Sequence, residues 1–179
     1  MSVPDGALAR RAKRAYEAGR LEAAVGRSLL LLPIVALALF CCSDPARILI
    51  SGLCLLAAVT FCLWRGQAYG RGVRPGLLAG IVPLAVPLAA QAGGHLCDAG
   101  RCLLVPSVCI LAGAAGGVAL GLLAPRPRDA HGIPLVSASL IAGLAGSVGC
   151  LLYGLIGLGG MVLGLLAGAA PVLAARQVR

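Results

Sequence analysis

Long uncharged apolar runs, separated by short segments that hold nearly all the charge, limit what this chain can fold into. A helix needs about 20 apolar residues to cross the ~30 Å hydrocarbon core of a bilayer, with somewhat shorter runs tolerated. By that measure six spans are expected, at 28–43, 46–64, 76–93, 103–124, 133–153 and 158–175. Apart from Arg47 at the margin of the second, none of them contains an acidic or basic residue. Composition agrees: 60% of residues are hydrophobic and 12% charged, against the roughly 45–50% and about 25% of a soluble domain. The expected fold class is all-α, a polytopic transmembrane helix bundle of six spans. The expected divisions are a basic cytoplasmic N-terminal helix over 1–27, the membrane domain over 28–175 and a cytoplasmic tail over 176–179.

Orientation follows from where Lys and Arg fall, because basic loops are retained on the cytoplasmic side. The segment before the first span carries six and the loops between successive spans carry one, three, one, two and none. The tail carries two. Alternate segments therefore hold thirteen against two, and both termini are expected in the cytoplasm of a multi-pass inner-membrane protein. The same distribution accounts for the net charge of +9 without nucleic acid. Trp64, Phe40, Phe61, Tyr16, Tyr69 and Tyr153 are too few aromatics for a base-stacking surface.

Residues 7–25 are rich in Ala, Arg, Lys, Glu and Leu, hold no proline and are expected to be helical, either lying on the inner membrane surface or running into helix one. The long charged region, and Phe40 where a cleavage site needs a small residue, argue against a removable secretory signal. Arg10, Arg11, Lys13 and Arg14 fit either a topology anchor on anionic lipid or a docking surface for a cytoplasmic protein partner.

Apolar helices in lipid gain little by burying apolar surface and associate where small residues let backbones approach. Gly113, Gly117 and Gly121 share one helical face, as do Gly160, Gly164 and Gly168. Helix five adds Ser139, Gly143 and Ser147, and helix three carries Gly76 and Gly80 ahead of Pro83 and Pro87. Helices four to six are expected to form a tight subbundle. The glycine stripes also leave room for a homo-oligomer.

The chemistry-bearing residues are eight cysteines, six of them expected in the outer half. His95, Cys97, Cys102 and Cys109 follow an H-x-C-x4-C-x6-C spacing whose imidazole and thiolate groups suit zinc or another thiophilic metal. Two other readings stand beside a metal or redox site: a disulfide between Cys97 and Cys102 on an oxidising face, and plain packing of Cys109 and Cys150. Catalysis is not expected. The spans lack the ionisable groups of proton relays and ion pathways, and His95 and His131 are assigned to opposite faces.

The basic N-terminal helix, six short spans, outward cysteines and the Arg126-Pro127-Arg128 loop before an Ala/Gly-rich fifth helix resemble the general plan of NrsF-type six-span bacterial membrane anti-sigma factors. Cys150 is an approximate counterpart of that family's late-helix cysteine, although no His-Cys pair follows Tyr153. The resemblance implies a sigma-factor partner held at the inner membrane and released on heavy-metal or thiol stress. Arg10, Arg11, Lys13 and Arg14 would then face the partner, and the cysteines would sense. A structural membrane subunit and a small transporter are the alternatives from other classes.

Overall fold

The computed structural model describes residues 5–40, 45–92, 104–124, 132–151 and 154–177. Helix α1 (Asp5–Ser28) passes through a 3-10 turn (Leu29–Leu31) into α2 (Leu32–Phe40), and α3 (Pro45–Arg65), α4 (Gln67–Ala92), α5 (Leu104–Leu123), α6 (Ile133–Cys150) and α7 (Gly154–Gln177) follow. No strand occurs among the described residues. Five helical stretches are long and apolar enough to cross a membrane: Leu8–Phe40, Pro45–Arg65, Ala68–Ala89, Ile133–Cys150 and Gly154–Arg176. A shorter apolar stretch, Ser107–Leu123, lies in α5. Large apolar side chains cover much of the outside of the spans: Leu30, Phe40, Leu111, Leu155 and Ile156 are each at least 70% exposed. In water such a surface would aggregate, whereas hydrocarbon solvates it. The architecture is that of an all-helical membrane protein.

Two helix boundaries stand out. The first apolar segment continues α1, the second of the two courses expected for the N-terminal helix, because nothing between Arg27 and Leu32 breaks the backbone and a 3-10 turn carries it through. The second loop, expected over 65–75, is almost entirely helical. Gly66, at φ 66°, reverses the chain by itself, its amide bonding the Cys62 carbonyl, and α4 starts at Gln67. Arg71, Arg74 and Pro75 are polar or helix-breaking on paper, yet they form the first turns of α4.

Small residues set the packing. Along α4, Gly72, Gly76 and Gly80 lie against α6. A Cβ at these positions would stand 2.8 Å from the Ala138 amide, 2.6 Å from the Ala138 carbonyl and 2.6 Å from the Ala145 Cβ. Gly117, Gly164 and Gly168 join α5 to α7 in the same way, with the Ala169 amide 2.8 Å from a Cβ at Gly117 and the Ala114 amide 2.9 Å from one at Gly164. Gly113 abuts Met161, Gly121 abuts Val172, and Gly160 is buried. The expected tight trio of helices is thus two tight pairs, α4 with α6 and α5 with α7, bridged by α4 against α5. The trio fails because the buried face of α6 runs through Ser137, Ala138, Ile141, Ala142 and Ala145, one residue round from Ser139 and Gly143. Gly143 has nothing within 4 Å of its would-be Cβ, while Ser147, of the same expected stripe, is buried.

Three serine hydroxyls in the spans are satisfied within their own helix, as suits a water-free setting. The hydroxyls of Ser51, Ser139 and Ser147 donate to Ile48, Leu135 and Leu144 carbonyls at 3.1, 2.9 and 2.8 Å.

Candidate functional site

One end of the bundle gathers the positive charge. Arg20 of α1 donates through Nη2 to the Trp64 carbonyl at 2.6 Å, and Arg176 of α7 donates to the Leu122 carbonyl and, at 3.1 Å, to Ala124. Both arginines cap helix C-termini, α3 and α5 respectively, where carbonyls lack intrahelical partners and the helix dipole is negative. Arg65 lies over the Phe61 ring at 5.7 Å, and Phe61 meets Tyr69 edge-on at 6.2 Å. Trp64 and Tyr69, amphipathic rings flanked by arginines, have the character of an interfacial girdle. Deeper along the same seam, Thr60 of α3 donates to the Ser28 hydroxyl at 2.8 Å, which donates in turn to the Val25 carbonyl.

Beyond this seam the amino half of α1 stands clear. Arg10, Arg11, Lys13 and Arg14 are all exposed, and Lys13 makes only a 3.9 Å ion pair with Glu17 one turn on. An exposed pair of this kind contributes little. The helix therefore presents a basic surface while being fixed to α3 at Arg20 and Ser28.

At the opposite end lies a group of sulfurs. Cys109 is in the second turn of α5 and Cys150 is the last residue of α6. Both are fully buried free thiols of one core cluster. The Cys150 thiol reaches the Pro83 carbonyl at 3.7 Å. That carbonyl is open because Pro87, four residues on, has no N–H to bond it within α4. Gly149 makes the approach feasible: a Cβ there would stand 2.8 Å from the carbonyls of both Pro83 and Leu84. Met161 of α7, also fully buried, belongs to the same core cluster as the two cysteines.

Of the metal residues expected from the sequence, His95, Cys97 and Cys102 lie outside the described residues, as do Cys41 and Cys42. Cys109 is described, in the core cluster that also holds Cys150. Cys54 is exposed on α3 and Cys62 is buried in the core formed by α3, α4 and α6. Among the described residues no three His, Cys, Asp or Glu side chains cluster as metal ligands. The grouping of Cys109 with Cys150 had a faint sequence signal. The positions lie near the ends of two successive spans, but only the packing of α5 and α6 on α4 places both in one core cluster. Comparison of the chain with family models, curated proteins and solved structures finds no match.

Proposed function

We propose that this chain is a non-enzymatic, six-span inner-membrane protein that conveys the thiol or metal state of its outer-face cysteines to a cytoplasmic protein through α1. The observation that carries this reading is the continuity of α1. One helical rod leads from an exposed basic surface at Arg10, Arg11, Lys13 and Arg14 into the first apolar segment, tied to α3 at Arg20–Trp64 and Ser28–Thr60. A shift of the bundle would be transmitted to that surface without a flexible joint between them. The partner expected is acidic, as the resemblance to membrane anti-sigma factors also implies. The full α5 is 20 residues long, about 30 Å at ~1.5 Å per residue, which supports counting it as the sixth span. Six spans and the thirteen-to-two division of basic residues support both termini in the cytoplasm.

The test reads α1 itself. Cells are exposed to cadmium or to a membrane-impermeant maleimide, and inverted vesicles are then prepared and treated briefly with trypsin. Cleavage after Arg10, Arg11, Lys13 and Arg14 is expected to change rate, and a Cys97→Ser/Cys102→Ser chain is expected to lose the change. Identical cleavage with and without treatment would contradict the reading.

A further inference from the structure

We propose that the groove between α1 and α3 binds one anionic phospholipid, its phosphate at the rim beside Arg20 and Arg65 and an acyl chain lying along the groove. The site does not depend on a signalling role for α1.

The groove is open along one side and has a volume of about 500 Å³. Leu21, Val25 and Leu29 line it from the first helical rod, and Leu53, Ala57 and Trp64 from α3. The leucines and Val25 are exposed, so nothing within the described residues covers them. Two hydroxyls also lie in the wall, but Thr60 donates to Ser28 at 2.8 Å and Ser28 to the Val25 carbonyl at 2.9 Å. Both hydroxyl hydrogens are thereby used, and the body of the groove offers hydrocarbon surface.

Length and charge select the occupant. Eleven residues separate Leu53 from Trp64 along α3, about 16 Å at ~1.5 Å per residue, and half of a ~30 Å hydrocarbon core is about 15 Å. The groove therefore matches the depth of one leaflet, and its volume falls short of a helix ~10–12 Å across over that length. Its Trp64 end is the basic end of the bundle. Arg20 donates to the Trp64 carbonyl at 2.6 Å, and the Arg65 guanidinium stands 5.7 Å from the centroid of the Phe61 ring, so each arginine is held by a residue that lines the groove. A guanidinium carries five N–H donors, and one spent on a carbonyl leaves others for phosphate oxygens. The carboxylates of this stretch do not intervene. Neither Glu17 nor Glu22 lines the groove, and Glu17 pairs with Lys13 at 3.9 Å. An apolar channel one leaflet deep with cationic groups at its interfacial end fits a lipid with an anionic head.

Trp64 is the chain's one tryptophan, so its fluorescence reports occupancy of the groove directly. The full chain is reconstituted in phosphatidylcholine vesicles containing increasing phosphatidylglycerol, with one or the other lipid brominated in the acyl chain just below the headgroup. Brominated phosphatidylglycerol is expected to quench Trp64 at a mole fraction at least about fivefold lower than brominated phosphatidylcholine does. Arg65→Gln should abolish most of that preference while leaving quenching by phosphatidylcholine intact. Arg74→Gln, which removes the same charge from an exposed position on α4, should leave the preference unchanged. Ala57→Phe, at an exposed position in the groove, should reduce quenching by both lipids. Equal quenching of the wild-type chain by the two lipids would overturn the proposal. So would equal effects of Arg65→Gln and Arg74→Gln, which would make the preference one of net charge, or full quenching in Ala57→Phe. Wild-type Trp64 shielded from both brominated lipids would mean that a protein segment covers the groove and would overturn it as well.

Discussion

Glycine at 149 and glycine at 143 look alike in the sequence and behave oppositely in the fold. A methyl group at Gly149 would press on two backbone carbonyls of α4, which cannot swing away as a side-chain tip can. Gly149→Ala is expected to destabilise the protein in detergent by roughly 1–3 kcal/mol, the range for overpacking. Gly143→Ala meets nothing within 4 Å and should be neutral or gain up to about 1 kcal/mol from helix propensity. Thermal unfolding of the two variants side by side checks both, and equal effects would mean that α6 does not lie on α4 as described. Legibility at this scale divides in the same way. That small residues and cysteines matter could be read from composition and spacing, but which glycine touches backbone, and which cysteines share a core cluster, depends on helix rotation. Ser139 and Gly143 had the right spacing and lie one residue off the buried face.

The elements themselves were largely visible, because a membrane helix declares itself by length and hydropathy. The ends were not. Gly66 gives no hint in the sequence that one residue suffices for the turn into α4, and the arginines that suggested a loop there are helical residues near the end of the span. Long basic side chains near a helix end can reach the interface while their stems stay with apolar neighbours, so charge marks the span's limit in the membrane and not the limit of the helix. The two glycine stripes of α5 and α7 were legible, though the sequence reading grouped both helices with α6, and the energetics of the pair can be tested on either partner. Gly117→Leu should force the helices apart where the Ala169 amide stands 2.8 Å from a Cβ, lowering stability in detergent by at least about 1–3 kcal/mol. Leu122, 57% exposed on the other side of α5, should tolerate Ala with a smaller loss. The comparison is read from detergent-induced unfolding, and equal tolerance would place the glycine stripe against lipid.

At the scale of the whole molecule, the two ends of the bundle differ in chemistry. One gathers Arg20, Arg65, Arg176 and the ring girdle of Phe61, Trp64 and Tyr69 around capped helix ends. The other holds the buried Cys109 and Cys150, the latter beside the Pro83 carbonyl. In the proposed orientation the first would face the cytoplasm and the second would lie in the outer half. The proposed signalling role depends on that assignment and on the even number of spans, and both can be tested together. A reporter active only outside the cytoplasm, fused after Ala99, should be active, and its cytoplasm-dependent counterpart should be active after Asp129. Cytoplasmic activity at Ala99 would contradict the six-span arrangement and remove the cysteines from the outer face.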